Sequence, residues 1–186
     1  GNTLLGAYAG DADMTGVDNT FVGLSAGSGN TSGDRSVGLG GYALASNTVG
    51  ARNIAIGHGA LQSNVDGSYS VAIGYGSLNA QDPASAANML NTAVGHQAGL
   101  LVTTGTNNTI MGGYAGDALT TGANNVAIGR SALSTEDTYG YNVAVGTYAL
   151  LNQNAGDNAY NTAVGYGAGE NVTTGTLNTI IGGSAG

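Results

Sequence analysis

Residues 124–133 read NNVAIGRSAL, and near-copies stand at 53–61 (NIAIGHGAL), 70–78 (SVAIGYGSL) and 142–150 (NVAVGTYAL). A second variant runs alongside, at 91–99 (NTAVGHQAG), 161–169 (NTAVGYGAG) and 178–186 (NTIIGGSAG). A catalytic motif is needed once, whereas a motif that recurs down a chain is architecture. With the first residue of the unit as position zero, rows begin at residues 2, 19, 36, 53, 70, 91, 108, 125, 142, 161 and 178. Eight of the ten steps are 17 residues, and the other two are 21 and 19.

Position zero is Asn2, Asn19, Asn53, Asn91, Asn108, Asn125, Asn142, Asn161 and Asn178, with Ser36 and Ser70 in the remaining rows. Position four is glycine in every row: Gly6, Gly23, Gly40, Gly57, Gly74, Gly95, Gly112, Gly129, Gly146, Gly165 and Gly182. The residue before it is always a large aliphatic, from Leu5 and Val22 to Ile181. Position seven is alanine in ten rows and Ser77 in the other.

A period near 17 is too short for paired-helix repeats. The segment NVAIG alternates and is rich in β-branched residues, which is strand chemistry. Seventeen residues accommodate two short strands and two turns, one coil of a solenoid. The expected fold is therefore all-β: a parallel β-solenoid, or β-roll, of about eleven 17-residue coils, with a second strand near positions six to nine. Residues 1–186 read as a single repeat array, an excerpt of a longer fibre. The aliphatic before the glycine is expected to fill the interior. The asparagines are expected to form a ladder, each bonded to the rows above and below. The glycine column marks either a positive-φ corner or a close approach of backbones.

Glycine lies three residues before position zero in seven of the eight 17-residue steps, and Asn88 and Asn158 take that place in the two longer ones. Both residue types readily adopt positive φ. The longer steps should keep the turn and carry their extra residues before it, as surface bulges at 81–87 and 152–157. The rows also divide into two classes. Threonine at position one accompanies glycine at position eight in six rows, and valine or isoleucine accompanies leucine in the other five. Either the two columns face one packed region or the rod alternates between wide and narrow segments.

Glycine supplies 35 residues, yet only 8% of the chain is charged and 41% is hydrophobic, so an ordered chain is expected rather than a disordered one. The net charge of −8, with Arg35, Arg52 and Arg130 as the only basic residues, disfavours nucleic acid and anionic membrane surfaces. Cysteine is absent, which excludes disulfides and thiolate metal sites. No apolar run approaches the ~18 residues of a membrane span. The few aliphatics available per coil return less than backbone ordering costs, so several chains should pack together.

Candidate chemistry is sparse. His58 and His96 follow the repeat glycine in separate rows, whereas a metal pair would need neighbouring rows and a third ligand. Asp11 and Asp13 in GDADMTG give a faint calcium signal, which GDALTTG at 116–122 loses. Glu136 and Glu170 are the only glutamates and have no evident partner for glycosidase chemistry. Glycine-rich spacing is everywhere, so no phosphate loop stands out from the repeat. Tyr8, Tyr42, Tyr75, Tyr114, Tyr148 and Tyr166 recur at positions five and six, suited to chain-interface packing or, less so, to stacking on sugars. Sequons occur at Asn30, Asn107 and Asn171. An ice-binding face would want a regular array of exposed threonine, and the pairs Thr103–Thr104, Thr120–Thr121 and Thr173–Thr174 are too irregular for one.

The rows NNVAIGRSAL, NIAIGHGAL and SVAIGYGSL resemble the head repeats of trimeric autotransporter adhesins (YadA-like). The threonine rows, with NTAVGYGAG and VTTGTLNT, look more like the stalks of phage tail-fibre proteins. The resemblance covers the whole chain. It implies a left-handed roll, a homotrimer around one axis, and attachment to a surface or host. The 17-residue coil is longer than the adhesin head's, and the family motif carries no binding residues over. The expectation is a non-enzymatic extracellular shaft without cofactor or metal, on a virion or cell surface. Any receptor or glycan would be reached through regions beyond this chain. The alternatives are a self-assembling extracellular filament and, less favoured, an ice-binding solenoid.

Overall fold

Alternation at positions one to three produces a three-residue strand in every row. The computed structural model describes every residue except Asp137. Its strands are β1 (Thr3–Leu5), β2 (Thr20–Val22), β3 (Val37–Leu39), β4 (Ile54–Ile56), β5 (Gly67–Ser68), β6 (Val71–Ile73), β7 (Ala87–Asn88), β8 (Thr92–Val94), β9 (Thr109–Met111), β10 (Val126–Ile128), β11 (Val143–Val145), β12 (Thr162–Val164) and β13 (Thr179–Ile181). All but β5 and β7 form one eleven-stranded parallel sheet in chain order. Equivalent positions always pair: Val126 opposes Val143, Thr92 opposes Thr109, and across the 21-residue step Val71 opposes Thr92. The chain is a parallel β-solenoid that turns about every 17 residues. At ~4.8 Å per rung the array is a rod of roughly 50 Å.

Each strand ends because position four cannot continue it. The eleven corner glycines have φ between +124° and +141°, a region that L side chains rarely enter. Space forbids a side chain there as well. A Cβ on Gly57 would stand 2.5 Å from the Gly74 carbonyl oxygen, and one on Gly95 would stand 2.5 Å from that of Gly112. The column thus combines both properties, a positive-φ corner and a backbone contact.

Positions six to nine form no strand, contrary to the sequence expectation. Positions six and eight are left-handed, as at Tyr42 (φ 60°), Leu44 (φ 54°), Tyr148 (φ 62°) and Leu150 (φ 49°). A strand requires negative φ, so the backbone turns here instead, closed by bonds such as Ala43 N–H to Gly40 O (3.3 Å) and Asn47 N–H to Leu44 O (3.1 Å). Leucine in this conformation costs about 1–2 kcal/mol, which its burial offsets: Leu44, Leu61, Leu78, Leu133 and Leu150 are all fully enclosed.

The strand faces also differ from expectation. Position two points inward and positions one and three point out: Ala55 is 0% exposed, while Ile54 and Ile56 are 39% and 36% exposed. The aliphatic before the corner glycine therefore does not fill the interior. In the rows with leucine at position eight, the interior beside the strand admits little more than a methyl group, whereas glycine rows bury Phe21 and Ile110 at the same position. A Cβ on Gly38 would already lie 3.0 Å from the Phe21 ring.

The apolar interior consists of position two, the alanines of position seven, and the apolar residues of positions eight and eleven. Positions one and eight therefore face opposite ways and do not share a packed region. The space that leucine takes at position eight is filled in glycine rows by other columns. A Cβ on Gly27 would meet Phe21 at 2.4 Å, one on Gly116 would meet Leu119 at 2.9 Å, and one on Gly169 would meet Ile180 at 3.1 Å. Volume is exchanged between positions two, eight and eleven, with threonine at position one outside that exchange.

The bulges have buried roots. Ala84, Ser85 and Ala86 are exposed, but Gln81, Pro83, Gln153 and Ala155 are enclosed. In the longer step Gly67 pairs with Ala87 and Ser68 with Asn88, an offset of 20 residues rather than 21. One extra residue therefore follows the pair. That residue is Met89, which is fully buried. The turn is not kept unchanged across the insertion, as the spacing had suggested.

Candidate functional site

Two polar columns run through the interior. At position zero the asparagines from Asn2 to Asn161 bind backbone of the next rung. Asn19 Oδ1 accepts from Ser36 N–H (2.9 Å), and its Nδ2 donates to Gly33 O (2.8 Å). Asn53, Asn91 and Asn108 repeat both bonds. The side chain thus holds the next rung's strand entry and the corner before it, mostly without amide-to-amide contact.

The amide ladder proper lies at position eleven, which sequence reading missed. Asn47 Nδ2 donates to Asn30 Oδ1 (2.7 Å), Asn64 Nδ2 to Asn47 Oδ1 (3.1 Å), and Gln81 Nε2 to Asn64 Oδ1 (2.9 Å). Gln81 then reaches across the interior: its Oε1 accepts from Ser70 Oγ (3.1 Å) and Asn91 Nδ2 (3.0 Å). Gln153 repeats the crossing by accepting from Asn161 Nδ2 (2.6 Å). Both glutamines stand in rows followed by a long step, so a longer amide spans the interior where the coil is enlarged. The column further contains Val102, Leu119 and Glu136, and this change of residue type hid it.

Two of the surfaces that face solvent run the length of the rod with a consistent composition. One is the outer face of the sheet, made of positions one and three. Position one is threonine, valine or isoleucine throughout and position three is aliphatic throughout, so neither column carries an ionisable group. The other is the turn edge, where rings line up along the rod. Tyr42 meets His58 edge-on (5.5 Å), His58 stacks on Tyr75 (5.6 Å), Tyr75 on His96 (5.2 Å), and His96 meets Tyr114 edge-on (5.2 Å). Further along, the Arg130 guanidinium covers the Tyr148 ring at 5.3 Å and donates to its hydroxyl. Tyr148 in turn meets Tyr166 at 6.0 Å.

The remaining candidates are dispersed. His58 and His96 are separated by the ring of Tyr75. Glu136 is fully buried, with Oε1 accepting from Tyr139 N–H (3.2 Å), whereas Glu170 lies at the turn edge two rows further on. They share no face. Asp11 and Asp13 are both exposed, and among the described residues no three His, Cys, Asp or Glu side chains converge as metal ligands. Threonine hydroxyls at the opposite turn bond the adjoining rung, as from Thr31 to Thr48 O (3.1 Å) and Thr103 to Thr120 O (3.2 Å). Of the sequons, Asn107 and Asn171 are exposed, but Asn30 is fully enclosed and cannot carry a glycan in the folded rod. Among the described residues no helix is long and apolar enough to cross a membrane. Comparison with protein-family models, curated proteins and solved structures finds no match to this chain.

Proposed function

We propose that the chain is a structural, non-enzymatic shaft segment of an extracellular fibre or adhesin. In this reading three copies pack around one axis through the outer sheet face, on a virion or cell surface, and hold an attachment module away from its base. The observation that carries the reading is the outer face itself. Eleven rungs in unbroken register present two columns without an ionisable residue. The columns are ~7 Å apart and run roughly 50 Å. With side chains such as Ile54, Ile56, Met111 and Val164 exposed by more than a third, position three is an apolar column flanked by threonine, valine or isoleucine at position one. Contiguous apolar patches larger than a few hundred Å² are rare on monomers, and even patches near that size often mark contact surfaces. A closed interior with an apolar exterior face suits a rod that bundles with its own copies.

Light scattering at tens of micromolar should give a discrete trimer. The double variant Ile56→Lys, Ile73→Lys should shift it to monomer with an unchanged circular dichroism spectrum, because both side chains point outward. A wild-type monomer would overturn the bundle, and thermal hysteresis would then test the same flat face for ice. Open-ended polymers would favour the filament.

A further inference from the structure

Rows 53 and 70 are the one place where two consecutive rows carry glycine at position six, Gly59 and Gly76, both left-handed (φ 67° and 62°). Elsewhere that column holds residues such as Tyr42, Gln97 and Tyr114 in the same conformation. Dropping two side chains opens a groove of about 150 Å³ along the turn edge. Position five supplies one wall, His58 and Tyr75, and position nine the other, Gln62 and Asn79. Gln97 and Leu100 of the next row border one end. A Cβ on Gly59 would lie 3.1 Å from Gln62 Oε1, and one on Gly76 would lie 3.5 Å from Leu100 Cδ1. Side chains here would occupy the space that the amides border.

The lining selects the ligand. It contains no carboxylate, lysine or arginine, and its polar groups are mostly neutral amides, which suits an uncharged ligand. Asn79 Nδ2 is fixed on the floor, donating to Gly59 O (2.8 Å) and towards Gln62 Oε1 (3.4 Å). That leaves Asn79 Oδ1 as an acceptor, Gln62 Nε2 as a donor, and both ends of the Gln97 amide. Paired donors and acceptors of this kind satisfy adjacent hydroxyls. The rings of His58, Tyr75 and His96 spend their faces on one another, so they present edges and polar tips rather than a slot for a flat aromatic. A peptide cannot add as a strand, because the edge backbone is already bonded rung to rung, as in Gly59 N–H to Gly41 O (2.9 Å) and Gly76 N–H to His58 O (3.0 Å).

We infer that this groove binds a neutral saccharide of about two sugar rings, the length of two rungs (~10 Å), presented sideways from the rod. The site lies past the corner glycines from the outer sheet face through which the copies are proposed to bundle. Saturation-transfer NMR on the chain with cellobiose, maltose, lactose and diacetylchitobiose at millimolar concentration tests it. At least one should receive saturation. Gly76→Tyr should abolish the signal, and it should fold, because Tyr42, Tyr114 and Tyr148 occupy the same column with the same φ. Asn79→Ala should weaken binding about tenfold, whereas Ser131→Gly, in the same column three rows on, should change nothing. Light scattering on Gly76→Tyr should show an unaltered mass, separating this result from the assembly test. The inference is overturned if no disaccharide is saturated, if the signal survives in Gly76→Tyr, or if only a peptide binds.

Discussion

Gly74→Ala is expected to lower the thermal midpoint by roughly 10 °C and to divide one unfolding transition into two. The added Cβ would stand 2.2 Å from the Gly95 carbonyl oxygen, at a φ of +132°. Conformational strain alone costs about 1–3 kcal/mol. The clash adds to this because the obstructing atom is a backbone oxygen, held by accepting from Ala98 N–H (3.3 Å), and cannot rotate aside. A total of about 3–5 kcal/mol corresponds to that shift for a chain of this size. Neighbouring rungs hold each other only by contact, so damage in the fifth of eleven rows should uncouple the two ends. Gly156→Ala is the control: nothing lies within 4 Å of its Cβ, and its midpoint should be unchanged. A Gly74→Ala rod that melts like the parent would refute the corner argument.

Asn64→Asp should be the most damaging conservative change in the interior, by about 3–5 kcal/mol at pH 7. Asn64 Nδ2 donates both to Asn47 Oδ1 (3.1 Å) and to Gly67 O (2.8 Å). A carboxylate would set an oxygen against two acceptors in a fully enclosed place. Enclosure and those acceptors favour the protonated acid, so the folded-state pKa would lie above the unfolded value of ~3.9. The neutral acid can donate to one acceptor. The deficit should therefore be smallest below about pH 4 and grow as pH rises through the unfolded pKa towards the folded one, then level off. Urea denaturation at pH 3.5 and pH 7, each referenced to the parent, measures it. A deficit independent of pH would show that residue 64 does not lie in a sealed amide column.

The strand triplets and the corner glycine were legible because their chemistry repeats in every row. Which way the strand faces was not. Size favoured Ile56 as the interior residue and Ala55 as the exterior one, and the structure reverses them. Alternation fixes which residues share a face but leaves the faces unlabelled. Where leucine at position eight already fills the coil, the small residue is the one that fits. The turns were missed for a related reason, since Tyr42, Leu44 and Arg52 adopt positive φ without being glycine or asparagine. Rung-to-rung hydrogen bonds such as Tyr42 N–H to Leu24 O (2.8 Å) and Arg52 N–H to Asp34 O (2.9 Å), and for Leu44 burial, hold that conformation against local preference. The amide ladder escaped notice because its column changes from Asn30, Asn47 and Asn64 to Val102 and Leu119, so identity breaks where position persists. The groove needed the fold as well. Gly59 and Gly76 become an opening only once stacking shows what stands in the same column above and below.

The unbroken parallel register also sets how the rod yields under load. Its two ends lie at opposite ends of the stack, so tension between them runs along the line of the rung-to-rung hydrogen bonds. Wherever a rung is bonded on one side only, it is the first to peel. Each peeled coil of 17 residues releases roughly 55–60 Å of slack chain, against ~4.8 Å of rod lost. A pulled rod should lengthen in discrete steps of about that size, dissipating work at each one while the remaining rungs stay stacked, as force spectroscopy would record.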